Sequence, residues 1–168
     1  ILGDGASWIW NRAKDLGNKR TVEILDFYHG CEYLSDLCKI LYGEQTPQYH
    51  RHFRGWTKKF YRGQAAAVIE ELKQIQKDTS NQQRLKALLL AIGYFEENLP
   101  RMNYRKYRRL RLPIGSGTVE SACKNVVGGR MKQGGMTWSQ IGADGMLQIR
   151  SSQESGRFES DFRRLLAA

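Results

Sequence analysis

The fold is decided by the opening stretch of the chain, residues 1–26, which reads ILGDGASWIWNRAKDLGNKRTVEILD. Residues 1–5 are typical of a strand, residues 7–16 of a helix and residues 20–26 of a second strand, in which polar and apolar side chains alternate. Such a short strand, helix and strand predict a compact βαβ unit with parallel strands. Parallel pairing brings both carboxyl ends to one edge, so we expect Asp4 and Asp26 to lie together where α/β folds bind ligands.

Residues 30–99 are predicted to be helical. Apolar side chains recur every three or four residues in three runs, which include Leu34, Val68 and Leu88. A fourth helix, rich in aromatic residues, is expected over residues 47–62, and a turn over residues 78–81. The fold class that follows is helix-rich α/β.

The last part of the chain is predicted to hold three more helices. The first covers residues 118–127 and carries Glu120 near its start, after a break at 113–117. Turns are expected at 128–129 and 134–135. The pattern Thr137-x-x-Gln140 is typical of a capping box and predicts a helix over 138–150, followed by a short amphipathic helix at the end. The length of 168 residues predicts one domain, with parts at 1–30, 31–100 and 101–168.

The positive charge is concentrated in one block. Residues 1–100 hold 14 basic and 12 acidic side chains, a net of +2, whereas residues 101–150 hold 10 basic and 2 acidic, a net of +8. A localised basic surface attracts a phosphate backbone, although a solvated basic surface is the simpler alternative. In residues 101–111, six basic side chains alternate with Tyr104 and Tyr107, which predicts either arginines on phosphates and tyrosines on bases, or an exposed linker.

Composition narrows the classes of protein. No apolar run approaches the length of a membrane span, and no secretory signal peptide is apparent. Three cysteines without Cys-x-x-Cys spacing predict a reducing, cytoplasmic compartment. A zinc site built from His29, Cys31, His50 and His52 would match no standard ligand spacing. A strand-like start without an initiator Met predicts that the chain is cut from something longer.

Three acids are candidates for metal chemistry. Carboxylates on converging elements can hold the divalent ions that enzymes use to cleave phosphodiesters. Asp4 and Glu120 are in suitable positions, and Lys124 lies one turn after Glu120. Each acid also has a structural alternative: a turn acid at Asp4, a helix N-cap at Asp26, and a first-turn acid favoured by the helix dipole at Glu120.

Three motifs carry a family resemblance. GDGASWIW at 3–10, DFYHGCEYL at 26–34 and LPIGSGTVESACK at 112–124, with GRMK at 129–132 and the segment around Trp138, resemble bacterial insertion-sequence transposases of the ISKra type. The resemblance implies an RNase H-like core with an Asp-Asp-Glu triad, a helical insertion between the second Asp and the Glu, and Mg²⁺ or Mn²⁺ as cofactor. It implies DNA, both element ends and target, as the partner, a possible homo-oligomer on DNA, and a bacterial cytoplasmic, nucleoid-associated protein.

The resemblance also implies roles for individual residues. Asp4, which leads directly into a helix, matches the second triad Asp, and Glu120 matches the third acid; both are expected to bind metal. Asp26 and His29 match a Cys/Asp-x-x-His motif that supports the active site in related Mutator-like transposases. The first triad Asp is expected before Ile1; in a rival assignment, Asp4 is first and Asp26 second.

The sequence therefore predicts a DNA transposase that cuts and joins insertion-sequence ends, with Asp4, Glu120, Asp26 and His29 at its active site. The alternatives are a catalytically incomplete remnant that binds DNA, and a structural protein of a basic assembly whose acids only cap helices. The side chains expected to contact the DNA backbone are Arg105, Arg108, Arg109, Lys124, Arg130 and Lys132.

Overall fold

A computed structural model describes residues 1–18 and 20–167, except for the side chains of residues 16, 118 and 119. About 71% of the chain is helical, and the sheet has two short strands. The helix-rich class predicted from the sequence is confirmed. The described chain divides into two compact units, residues 1–116 and 117–168, so the division falls inside the third part predicted from the sequence.

The first unit opens with the predicted βαβ element. Strand β1 covers Leu2–Gly3, helix α1 covers Ser7–Leu16, and strand β2 covers Ile24–Leu25. The strands are parallel, with Leu2 opposite Ile24 and Gly3 opposite Leu25. The second strand is shorter than predicted because Thr21 bonds back to Asn18: the Thr21 hydroxyl accepts from the Asn18 N–H at 2.7 Å, and the Thr21 N–H donates to the Asn18 carbonyl at 2.9 Å.

Four long helices follow, as the apolar spacing predicts. They are α2 (Phe27–Tyr42), α3 (Pro47–Tyr61), α4 (Ala65–Lys77) and α5 (Gln82–Asn98). Side chains cap three of their N-termini: Asp26 caps α2, Thr46 caps α3 with Pro47 in the first turn, and Asn81 caps α5. A 3₁₀ turn at Leu99–Arg101 and the short helix α6 (Tyr104–Arg109) complete the unit.

The core of the first unit lies between β2 and these helices. Its largest fully buried side chains are Trp56, Tyr104, Phe60, Phe95, Leu25 and Leu34. Removing such side chains from water is the main stabilising contribution to the fold. The βαβ element is thus packed against a helical body instead of being an isolated pair of strands.

The second unit is helical throughout. Helix α7 (Gly117–Cys123) continues through a π-helical turn at Lys124–Gly128 into α8 (Gly129–Met131), and α9 (Gln140–Glu154) and α10 (Phe158–Leu166) follow. The predicted turn at 128–129 is wrong: both glycines have right-handed helical dihedrals and continue the helix. The turn at 134–135 is present.

The predicted capping residue of the next helix is also wrong: the cap is Ser139, two residues after Thr137. Helix α9 begins at Gln140, and Ser139 caps it by accepting from the Gly142 N–H at 3.1 Å. In the same unit, the Arg150 guanidinium donates to the Asn125 carbonyl at 2.8 Å, which ties the π-helical turn to α9.

Candidate functional site

The site is built at the carboxyl edge of the two strands. Asp4 and Asp26 are each the residue that directly follows the paired part of a strand, and the Asp26 N–H donates to the Gly3 carbonyl at 2.7 Å. The expectation that the two acids lie at the same edge of a parallel pair is confirmed. Their surroundings differ, however, and the difference decides what each can do.

Asp26 is a buried carboxylate with 3% of its surface exposed. One oxygen, Oδ1, accepts from the backbone N–H groups of Tyr28 at 2.8 Å and His29 at 3.1 Å, which is the geometry of a helix N-cap. The other oxygen, Oδ2, accepts from the Ser116 N–H at 2.6 Å. Both oxygens are therefore occupied by backbone donors, and the structural alternative of an N-cap is present in the fold.

Asp26 also joins the segments that carry the three motifs. The loop before Glu120 lies on the start of α2, where the Phe27 N–H donates to the Ile114 carbonyl at 2.8 Å. A Cβ on Gly115 would lie 2.5 Å from the Tyr28 ring, so this close approach requires glycine. The first motif is attached through Gly3, as described above. Gly3 and residues 114–116 thus meet the start of α2 at Asp26, Gly3 through the Asp26 main-chain N–H and Ser116 through its carboxylate.

Asp4 is exposed, and its carboxylate accepts fewer hydrogen bonds than that of Asp26. Its Oδ1 accepts from the Ala6 N–H at 2.9 Å, and no hydrogen bond from the described residues reaches Oδ2. Its main-chain carbonyl accepts from the Tyr94 hydroxyl at 2.8 Å. Gly5, which follows, has φ of +97°, and a Cβ there would lie 2.7 Å from the Tyr94 hydroxyl oxygen. An exposed carboxylate with one free oxygen fits a hard divalent cation, which prefers oxygen ligands and retains water.

An aromatic stack supports this strand end. The Tyr94 ring lies on the Tyr33 ring with centroids 3.9 Å apart, and the His29 ring meets Tyr33 edge-on at 5.4 Å. Burial, with Tyr33 and Asp4 as further contributions, raises the pKa of the Tyr94 phenol, so it remains a neutral donor. His29 Nδ1 is 3.2 Å from Glu32 Oε2. Sequence reasoning missed Tyr33 and Tyr94 because their helical spacing is the same as that of core residues.

Glu120 belongs to the second unit, in the first turn of α7, and is exposed. The π-helical turn that begins at Lys124 is of a kind often found at functional sites. Among residues 1–18 and 20–167, no three or more His, Cys, Asp or Glu side chains form a group that could hold a metal ion. None of the four residues considered for a zinc site, His29, Cys31, His50 and His52, therefore belongs to such a group. The two acids predicted to bind metal lie one in each unit, Asp4 in the first and Glu120 in the second.

The basic side chains of residues 101–111 have two separate roles. The Arg101 guanidinium pairs with Glu23 at 2.7 Å and lies 4.4 Å from the centre of the Trp10 ring, so Arg101 belongs to the packing. Arg105, Arg108 and Arg109 instead line a surface cavity of about 710 Å³, together with Arg62, Gly63, Gln64 and Asn103. Arg62 was not expected from the sequence, because α4 and α5 separate it from α6 along the chain.

One prediction about this segment is wrong. Tyr104 and Tyr107 do not face a ligand: they are 0% and 3% exposed, respectively. The two residues lie three apart on the inner face of α6, where Tyr104 meets Phe27 edge-on at 5.1 Å. The tyrosines fix α6 to the core, whereas Arg105, Arg108 and Arg109 of the same helix are exposed.

The other predicted contacts to DNA lie in the second unit. Lys124, Arg130 and Lys132 are exposed. No helix in the described part of the chain is both long enough and apolar enough to cross a membrane. The sequence matches no protein-family model and no curated protein, and the fold matches no solved structure.

Proposed function

We propose that this chain belongs to the catalytic domain of a DDE transposase of the ISKra type, and that its βαβ element belongs to an RNase H-like core. The proposal is carried by one observation: segments of the three motifs that suggested the family meet at Asp26, the first through its main-chain N–H and the other two through its carboxylate. The convergence of these distant motifs at one buried residue supports a single site built from all three. The helices α2 to α5 are, in this proposal, the insertion between the second acid and the Glu.

The acids divide into ligands and support. Asp4 and Glu120 are the proposed ligands for Mg²⁺ or Mn²⁺, which would stabilise charge on the reacting phosphate and favour ionisation of the attacking hydroxyl. Asp26 is proposed to support the site, since three N–H groups already use its oxygens. This favours the assignment of Asp4 as second acid over the rival in which Asp26 is the second. His29, which pairs with Glu32, contributes to the shape of the same edge.

In the proposed reaction, water attacks a phosphodiester at an element end and the bond from phosphorus to the 3′-oxygen breaks, which releases a 3′-hydroxyl and leaves a 5′-phosphate. That 3′-hydroxyl then attacks a phosphodiester of the target DNA and displaces the 3′-oxygen of the target strand. Two hydrogen bonds fix the position of Asp4: the Ala6 N–H donates to its side chain, and the Tyr94 hydroxyl donates to its main-chain carbonyl. DNA would be held by Arg105, Arg108 and Arg109 in the first unit, and by Lys124, Arg130 and Lys132 in the second. The protein would act in the bacterial cytoplasm on the nucleoid, where its substrate lies.

The test is end cleavage by the complete gene product, with Mg²⁺ and a duplex that carries an element end. We expect E120Q and D4N to abolish nicking while DNA affinity stays within about twofold, since neither change removes a cation from the phosphate contacts. D144N, a carboxylate loss on the exposed face of α9, is the matched control and should nick normally. Full cleavage by E120Q would remove Glu120 from the triad.

A second candidate function is a DNA-binding module without catalysis. It is favoured by the arginine-lined cavity, which lies entirely within residues 1–116 and needs none of the acids. Salt-dependent DNA binding by the complete gene product, with no metal requirement and no nicking, would support this alternative.

A further inference from the structure

The arginine-lined cavity has the features of a built anion site. Its walls come from three places in the chain: Arg62 follows α3, Gln64 precedes α4, and Arg105 and Arg109 lie one turn apart on α6. A second cavity of about 570 Å³ adjoins it and shares Asn103, Arg105 and Arg109. The two together form one trough along the outer face of α6. We call this trough the arginine cleft.

The cleft depends on a glycine. Gly63 has φ of +75°, which side chains other than glycine rarely adopt, and a Cβ there would lie 3.2 Å from both Arg105 Cβ and Asn103 Oδ1. The chain therefore turns sharply after Arg62 and approaches the start of α6 closely. This brings Arg62, which is 43 positions earlier in the sequence, to the same cavity as Arg105.

One arginine in the cleft is held in place. The Arg108 guanidinium lies over the Tyr61 ring, 3.6 Å from its centre, and donates to the Tyr61 carbonyl at 3.4 Å. Tyr61 in turn meets Phe27 edge-on at 5.8 Å. Arg108 is thus oriented before any ligand arrives, which lowers the entropy lost on binding.

The charges of the cleft are not compensated within the described chain. Some cations of the first unit are paired, for example Lys59 with Glu71, Lys73 with Glu70 and Glu96, and Arg101 with Glu23. By contrast, no carboxylate of the described residues lies within ion-pair distance of Arg62, Arg105 or Arg109. Several guanidinium groups around one cavity repel one another, and phosphates would remove that repulsion.

We infer that the arginine cleft is a phosphate-backbone clamp for a DNA duplex, in which Arg62, Arg105 and Arg109 bind successive phosphates and Arg108 fixes the register. The clamp rests on the proposed function, because it assigns the surface that holds the DNA. It adds Arg62, Gly63 and a defined trough to what charge alone indicated. Guanidinium groups suit this role because they bind phosphate oxygens in pairs.

The test is duplex affinity of the complete chain as a function of salt, measured in EDTA. We expect R62Q/R105Q to lower the affinity at least about tenfold at low salt, and to reduce the slope of log affinity against log salt by about 1.8, which is two phosphate contacts. The matched control is R84Q/K86Q on α5, which removes two exposed cations outside the cleft. Equal losses in the two double variants would overturn the clamp in favour of unspecific charge.

Two further arms separate a clamp from other anion sites. R105K keeps the charge but not the paired geometry, so we expect an unchanged salt slope with an affinity lowered about threefold or more; unchanged affinity would overturn the clamp. Inorganic phosphate in equimolar amounts with the duplex should not compete. Competition at that level would show a small-anion pocket, and would also overturn the inference.

The clamp and the proposed function fail differently. Binding is measured without metal, so the two proposals can be tested separately. If R62Q/R105Q lowers affinity as expected but the complete gene product does not nick, the clamp stands and the transposase proposal falls. If the complete gene product nicks normally and R62Q/R105Q binds like the unsubstituted chain, the transposase proposal stands and the clamp falls. Thermal unfolding of each variant checks that the exposed substitutions leave the fold intact.

Discussion

Asp26 Oδ2 accepts a hydrogen bond of 2.6 Å from the backbone N–H of Ser116, ninety positions later in the chain. The same carboxylate caps α2 through its other oxygen. One buried side chain therefore fixes both the start of the helical body and the end of the first unit. That dual use has consequences for stability that a simple N-cap does not have.

Substitution of Asp26 should separate its two roles. In D26N one side of the carboxamide is a donor, so it can satisfy the cap or Ser116 but not both, and we expect a loss of about 1–3 kcal/mol in the free energy of unfolding. D26A should lose about 2–4 kcal/mol. N81A, which removes an exposed single-bond cap from α5, should cost only about 1 kcal/mol. Urea unfolding measures all three, and equal losses for D26A and N81A would reduce Asp26 to an ordinary cap.

Gly5 should be intolerant of any side chain. In G5A the new Cβ would meet the Tyr94 hydroxyl at the strained φ of +97°, so we expect destabilisation of about 1–3 kcal/mol and loss of the Tyr94 bond to Asp4. G93A is the matched control, because no heavy atom lies within 4 Å of a Cβ there and the residue is inside α5. It should stabilise by up to about 1 kcal/mol. Similar melting shifts for the two variants would contradict the geometry at Asp4.

Two arginines only four positions apart should behave oppositely. Arg101 pairs with Glu23 and covers Trp10, so R101Q should lower the free energy of unfolding by about 1–2 kcal/mol. R105Q should change it by less than about 0.5 kcal/mol while weakening DNA binding. Parallel measurements of unfolding and affinity check the division. It would be contradicted if R105Q unfolded as readily as R101Q.

Stability should fall in alkaline solution. Burial raises the pKa of the Cys38 thiol to about 12 and that of the Cys31 thiol to about 11, whereas an unfolded thiol ionises near 9. The folded state keeps its protons where the unfolded state releases them, so the stabilisation is complete below pH 9 and is lost as the pH rises through 11 to 12. By pH 10, ionisation of each thiol in the unfolded state should lower the free energy of unfolding by about 1.4 kcal/mol.

Burial raises the pKa of the Tyr94 and Tyr104 phenols as well, so these groups act in the same direction above pH 10. Urea unfolding between pH 8 and pH 10.5 measures the decline, and C38A should decline less steeply than the unsubstituted chain. A free energy of unfolding that stayed constant over this range would show that these groups titrate alike in both states.

Much of the first unit follows from local sequence rules. The alternation at 21–25 and the helix after Asp4 are enough to predict the parallel pair, because short crossovers leave few topologies. The boundaries of α3 follow from Thr46 and Pro47, since a cap and a first-turn proline act within a few residues. Such features depend on neighbours in the chain, and a single sequence contains them.

The site is less predictable, because its contacts are between distant residues. Nothing local links Ser116 to Asp26, Tyr94 to Asp4 or Arg62 to Arg105. The tyrosines of α6 illustrate the limit: alternation with arginine suggested ligand contacts, but helical spacing turns Tyr104 and Tyr107 to the core. The error at Thr137 is similar, since Ser139 offers an equally good cap two residues later.

The central proposal is that Asp4 and Glu120 are ligands of the catalytic divalent cation, and Mn²⁺ affinity tests it most directly. Binding would be measured by electron paramagnetic resonance on the complete gene product with duplex DNA, for the unsubstituted chain, D4N, E120Q and D4N/E120Q. The account predicts a large loss of Mn²⁺ affinity in each single variant and little further loss in the double variant, because ligands of one ion are strongly non-additive. Small losses that simply add in D4N/E120Q would contradict the proposal.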